Sequence, residues 1–152
     1  MLTKTLVLMC SVLFIHYPST CNDQRMQELA RNTQLVVVAE IVEVKPAPGF
    51  WSGQFAAVQY VHYKVIESLK GKTAGEIEVG HYVVKNSLTA DKDHARLSPE
   101  LFKVGNRLIL FIQPDKRNQK AELGSLAFLS QDEHCGAVLA TDHSVQVVRR
   151  AL

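Results

Sequence analysis

Runs of β-branched residues recur along the chain and predict a structure built mainly from strands. Residues 35–44, LVVVAEIVEV, are apolar at most positions and rich in valine, which is typical of a buried strand. Turn-forming residues separate this run from several later ones. Further strands are predicted at residues 56–66, 76–84, 107–112, 123–129, 136–140 and 144–149.

The second of these strands alternates between apolar and polar positions. Val61, Tyr63 and Val65 share one face of an extended chain. His62 and Lys64 share the other face. This alternation predicts a strand with one buried and one solvated side.

Two short helices are predicted among the strands. Residues 24–32 form a helical stretch, with Asn22 or Asp23 available as the N-cap. A second helix is predicted to begin at Ser98, a capping hydroxyl, with Pro99 at its first position.

The order of these elements predicts the fold class. Three strands, a short helix and two or more strands follow one another, as in a five- or six-stranded Greek-key barrel of the oligonucleotide- and oligosaccharide-binding (OB) type. An immunoglobulin-like sandwich is the alternative. It has no place for the middle helix, and its cysteine–tryptophan–cysteine spacing is missing here.

The first residues resemble a targeting segment. Residues 5–15 are an apolar run of the length found in secretory signals, and too short to span a bilayer comfortably. Residues 1–20 are therefore predicted to be a signal peptide, with cleavage after Thr20 or Cys21. A retained hydrophobic anchor and a lipoprotein signal with Cys21 lipidated are the alternatives. The prediction is a secreted or periplasmic protein, with residues 21–152 as a single domain and no transmembrane segment in the mature chain.

Composition excludes some kinds of partner. The 152 residues carry 17 basic and 15 acidic side chains, a net charge of +2, and 47% of the chain is hydrophobic. Such a chain can bury a core. Single-stranded nucleic-acid binders combine a basic groove with stacking aromatics. The near balance of charges here predicts no nucleic-acid partner.

Two cysteines remain if the signal peptide, with Cys10, is removed. Cys21 and Cys135 can pair in an oxidising compartment. The alternative is that Cys21 is removed or modified and that Cys135 is a lone buried thiol.

Candidate catalytic and metal-binding groups are sparse. An acidic residue precedes a histidine at three places, Asp93-His94, Glu133-His134 and Asp142-His143. A metal site needs three or four converging ligands, and these pairs are predicted to be solvated. No nucleophile elbow or zinc-protease motif is present. The sequence predicts no enzyme activity, no metal and no cofactor.

Two histidines fall on predicted strands. His62 is predicted to be a solvated residue of the polar face. His81 shares its face with Ile77, Val79 and Val83, and is predicted to be a hydrogen-bonded residue at the edge of the core.

Residues 46–55, PAPGFWSGQF, place three aromatic side chains in a loop rich in proline and glycine. The three are Phe50, Trp51 and Phe55, and Trp51 is the only tryptophan of the chain. Large aromatic side chains dominate contact surfaces, and loops lie on the surface. This loop is therefore the predicted binding site, at the rim of the barrel. The alternative is that Trp51 folds back and covers one end of the core.

A family resemblance rests on several short segments. These are the helix leading into LVVVAEIVEV, then YVHYKVIESLKGK, IEVGH, LSPELFKVGNRLILF and GAVLATDHSVQVV. With them the chain resembles the netrin-like domains, which include the tissue inhibitors of metalloproteinases, and most closely the small secreted members without assigned activity. The resemblance implies an OB-type barrel that works through contacts, with a final hairpin at the last of these segments.

The departures from the family bear on function. The inhibitors begin with a Cys-x-Cys sequence, whereas Cys21 is followed here by Asn22 and Asp23. The favoured hypothesis is a secreted, non-catalytic module that contacts another protein through residues 46–55. The alternatives are an inhibitor-like regulator acting on metalloproteases through its N-terminal Cys21, and an unrecognised hydrolase.

Overall fold

A computed structural model describes residues 21–45, 56–84, 99–114, 127–130 and 135–152. In these ranges the chain is mainly β, with a sheet flanked by two short α-helices. The elements in chain order are α1 (Asp23–Asn32), β1 (Leu35–Val44), β2 (Ala56–Lys70), β3 (Glu76–Val84), a 3₁₀ turn (Pro99–Leu101), β4 (Arg107–Pro114), β5 (Ala127–Ser130), β6 (Ala137–Leu139) and α2 (Asp142–Arg149).

Most of the predicted elements are present, and some differ in length. The strand predicted at 35–44 and that at 76–84 have the predicted bounds. Strand β2 continues past the predicted end at residue 66 to Lys70, because Glu67 and Ser68 still pair with β1. Gly71 then turns the chain with a φ of 77°, and a Cβ there would lie 2.8 Å from the Gln34 carbonyl oxygen.

The strand predicted at residues 144–149 is wrong, because this segment belongs to α2. Thr141 is the N-cap, and its hydroxyl accepts a hydrogen bond from the Ser144 amide in a capping box. The buried positions Ser144, Val147 and Val148 are spaced three and four residues apart, so they share one helical face. The final hairpin implied by the family resemblance is therefore wrong as well.

The strands pair in an order that differs from their order in the chain. β1 pairs antiparallel with β2, and β2 pairs antiparallel with β3. β3 pairs in parallel with β5, and β5 pairs antiparallel with β4. β4 pairs antiparallel with β6 and also with β1, so β1 has partners on both sides.

Two apolar clusters lie on the two faces of this sheet. The inner cluster is lined by alternate residues of the strands, with Tyr63 among its largest fully buried side chains. The outer cluster packs α1 and α2 against β1 and β4. Its buried members are Met26, Leu29, Ala30, Val36, Val38, Ile109, Phe111, Cys135, Val147 and Val148.

Candidate functional site

A disulfide joins Cys21 to Cys135, as predicted from the sequence. The two Cα atoms are 5.3 Å apart, although the residues are separated by 114 positions in the chain. Cys21 is exposed, and Cys135 lies in the outer cluster and is only 2% exposed. The bond therefore fixes the segment before α1 to the segment before β6.

A second link joins the two helices near this disulfide. Nε2 of His143, in the first turn of α2, lies 3.0 Å from each carboxylate oxygen of Asp23, the first residue of α1. His143 is exposed, as predicted, but it lies in a helix instead of the predicted turn. An exposed pair of this kind contributes little to stability.

A hydrogen-bonded pair of titratable side chains lies in the inner cluster. Oη of Tyr63 on β2 is 2.8 Å from Nε2 of His81 on β3, and both side chains are fully buried. The ring of Phe102, just after the 3₁₀ turn, lies with its centroid 4.8 Å from that of the His81 ring. The Nδ1 atom of His81 has no hydrogen-bond partner in the described part of the chain.

Burial sets the protonation state of this pair. Desolvation lowers the pKa of His81 to about 3, because an imidazolium would lose its hydration in the apolar interior. Desolvation also raises the pKa of Tyr63 well above its ordinary value. Both groups are therefore neutral at physiological pH, and neither side chain is exposed to contact a ligand.

The sequence prediction for His81 was half right. Its hydrogen bond is confirmed, but its position at the edge of the core is wrong, because the side chain is 0% exposed. The shared face with Ile77 and Val79 indicated burial. The contact with Phe102 could not be inferred, because that residue is distant in sequence and outside the sheet.

Charged side chains line the face of β2 and β3 that is turned away from the inner cluster. His62 stands opposite Glu43 on β1 and Glu78 on β3, and its Nε2 atom lies 3.2 Å from the Glu76 carboxylate. The ammonium of Lys45 donates to Glu78, and this hydrogen bond raises the pKa of Lys45. The predicted polar character of the His62 face is confirmed.

The described ends of β1, β2 and β3 border the predicted binding loop, whose own residues lie outside the described ranges. The Lys45 amide donates to the Tyr60 carbonyl at 3.0 Å, and the side-chain amide of Gln59 donates to the Lys45 carbonyl. Ala56, the first residue of β2, pairs with Val84, the last residue of β3. Lys45, Ala56 and Val84, which border the residues 46–55 and 85–98, therefore lie at the same end of the sheet.

Several predicted residues lie outside the described ranges. These are Phe50, Trp51, Phe55, Asp93, His94, Ser98, Glu133 and His134. Within the described ranges, no group of three or more histidine, cysteine or acidic residues is placed to hold a metal ion. The helices described there are too short and polar to cross a bilayer.

No family model matches the chain, and no curated protein matches its sequence.

Proposed function

We propose that the chain is a secreted or periplasmic, non-catalytic binding module that contacts another protein through one end of an OB-like barrel. The contact surface, here called the binding end, comprises the connections 46–55 and 85–98 and the ends of β1, β2 and β3 that carry them. Phe50, Trp51 and Phe55 provide its apolar anchors.

The barrel architecture is supported by the strand pairing. The pairs run from β1 through β2, β3, β5 and β4, and β4 pairs again with β1 over residues 107–112. A parallel β3–β5 pair within an otherwise antiparallel set, with a helical turn between β3 and β4, supports an OB-like barrel. The extracytoplasmic location is supported by the Cys21–Cys135 disulfide, since such bonds persist in oxidising compartments.

The observation that carries the proposed binding end is the pairing of Ala56 with Val84. It places the residue that follows the aromatic connection beside the residue that precedes a polar connection, residues 85–98, whose sequence carries both signs of charge. Aromatic anchors surrounded by mixed polar groups are the composition of protein contact surfaces. The prolines Pro46 and Pro48 restrict that connection, which lowers the entropy lost on binding.

The test is capture of partners from the protein's own compartment by three immobilised forms of the full chain. These are the unaltered protein, Trp51→Ala, and the control Ile66→Ala, which removes an apolar side chain, 47% exposed, from within β2. The proposal expects at least a tenfold loss of a specific captured protein for Trp51→Ala and none for Ile66→Ala. Equal capture by all three forms would contradict it.

A further inference from the structure

Helix α1 is held at both of its ends by neighbouring parts of the chain. Cys21 precedes its N-cap Asn22 and is bonded to Cys135. Leu35 follows the helix as the first residue of β1. Residues 22–34, here called the α1 segment, therefore span two fixed points, and the helix packs into the outer cluster between them.

Further contacts reinforce the two ends of α1 to different degrees. Near its C-terminus, Nζ of Lys70 on β2 donates to the carbonyl oxygens of Ala30 and Arg31, at 2.9 and 2.7 Å. Near its N-terminus, the exposed contact between Asp23 and His143 accompanies the disulfide. Because an exposed pair contributes little to stability, the disulfide is the stronger of these two attachments of the first turn.

The disulfide is accessible from the Cys21 side. Cys21 is exposed, whereas Cys135 is only 2% exposed within the outer cluster. Thiol–disulfide exchange requires an attacking thiolate to reach one of the two sulfur atoms. An external thiol is therefore expected to attack Cys21 while the protein is folded.

We propose that the Cys21–Cys135 disulfide is a redox-sensitive lock on α1. Its reduction by a dithiol raises the open population of the helix, while the sheet stays folded around the inner cluster. Opening withdraws Met26, Leu29 and Ala30 from the outer cluster, whereas the described members of the inner cluster lie on the strands and at the 3₁₀ turn. The inference goes beyond the binding function proposed above and does not rest on it.

The reaction is a two-electron exchange with the dithiol. One thiolate of the dithiol attacks Sγ of Cys21, and the bond to Cys135 breaks. Sγ of Cys135 leaves with the electron pair and takes up a proton. The second thiolate then attacks the dithiol's own sulfur in the mixed disulfide and releases the Cys21 thiolate. The dithiol ends as a disulfide, and the protein ends with two thiols.

Loop closure sets the size of the effect. In the oxidised protein an opened α1 segment is still tied at Cys21 and at Leu35, so opening gains only the freedom of a closed loop. Reduction unties the Cys21 end. The entropy of closing a loop of about 15 residues corresponds to roughly a hundredfold in an equilibrium constant. The ratio of open to closed α1 should therefore rise about a hundredfold on reduction.

The experiment measures amide hydrogen exchange of the full, disulfide-bonded chain at pH 7.5, with and without dithiothreitol. Peptides covering the α1 segment report the opening, because local exchange follows the opening equilibrium. These amides should exchange about a hundredfold faster after reduction. Low concentrations of urea should change that rate little, since a local opening exposes little surface, whereas global unfolding responds strongly to urea.

Two outcomes of this experiment would overturn the lock. Unchanged exchange of the α1 segment after complete reduction would show that the disulfide does not hold the helix. Exchange of the α1 segment that rises with urea in step with β2 and β3 would show that the bond stabilises only the fold as a whole.

Two variants serve as controls. Cys21→Ser with Cys135→Ser should exchange at the rate of the reduced protein, with or without dithiothreitol. Asp23→Asn keeps the disulfide and weakens the contact with His143, so α1 should exchange within threefold of the unaltered rate. A hundredfold increase in Asp23→Asn would assign the lock to this pair instead.

The site of attack can be measured without any variant. The folded, oxidised protein is treated with glutathione, and mixed disulfides are trapped and mapped by mass spectrometry. The adduct should lie on Cys21. Adducts on Cys135 alone, or a disulfide that is reduced only in denaturing urea, would contradict the proposal.

Discussion

Cys21 and Cys135 are linked by a disulfide that closes 114 residues of chain and brings the start of α1 beside the start of β6. The same two regions meet again where Asp23 contacts His143, and α1 and α2 share one apolar cluster on the outer face of the sheet. The two ends of the described chain are thus joined by a disulfide, by the contact between His143 and Asp23, and by buried side chains.

Loss of this disulfide should destabilise the protein substantially. Cross-linking over so long a loop restricts the unfolded chain, and Cys21→Ser with Cys135→Ser should lower the free energy of unfolding by about 4 kcal/mol. Urea unfolding of the double variant and of the oxidised protein measures this difference. Thiol titration of the unfolded, non-reduced protein should detect neither cysteine, and two free thiols there would refute the bond.

The N-cap of α2 gives a test of the helix that replaces the predicted strand. Thr141→Ala removes the side-chain acceptor for the Ser144 amide, so it should lower the free energy of unfolding by about 1 kcal/mol. Gln146→Ala, at an exposed position within the same helix, is the control and should change stability by less than about 0.5 kcal/mol. Chemical denaturation midpoints measure both, and equal values would argue against the cap.

The buried tyrosine hydroxyl can be tested separately from its ring. Tyr63→Phe keeps the packing but leaves Nε2 of His81 without its partner, and should lower the free energy of unfolding by about 1–3 kcal/mol. Tyr60→Phe alters a partly exposed tyrosine on the same strand and should have little effect. A Tyr63→Phe protein as stable as the unaltered one would mean that the hydrogen bond contributes nothing.

Stability of the whole fold should fall in acid because of His81. Its folded pKa, about 3, is below the unfolded value of about 6.5, so the unfolded state binds more protons between these limits. The contribution is complete above pH 6.5 and is lost as the pH falls towards 3, at about 1.4 kcal/mol per pH unit. Urea unfolding at several pH values should show this slope in the unaltered protein and a much flatter one in His81→Gln. Identical slopes would assign the acid sensitivity to other groups.

The strands could be predicted wherever the order of apolar and polar residues matched which faces of the strand are buried. Residues 35–39 are apolar on both faces, where β1 contacts both clusters, and the alternation in β2 reflects one buried and one charged face. The segment at 144–149 was wrongly predicted to be a strand because valines favour strands in general. Burial at three- and four-residue spacing, together with a capping box, outweighed that preference.

The candidate sites differed in how far sequence could define them. The disulfide followed from there being two cysteines after the predicted signal peptide, whereas the helix pair that surrounds it required tertiary structure. The alternating pattern of β3 indicated that His81 shares the buried face with Ile77 and Val79. Its contacts with Tyr63 and Phe102 bring together residues from three separate segments, which no local pattern encodes.

We propose that Trp51 belongs to a contact surface and not to the core. The direct measurement combines the free energy of unfolding of Trp51→Ala with its capture of the partner. We expect Trp51→Ala to have nearly unchanged stability and to capture no partner. In the unaltered protein we expect red-shifted Trp51 fluorescence that is readily quenched. A blue-shifted, quencher-resistant Trp51 whose removal lowers the free energy of unfolding by about 3 kcal/mol, as for a buried aromatic, would contradict it.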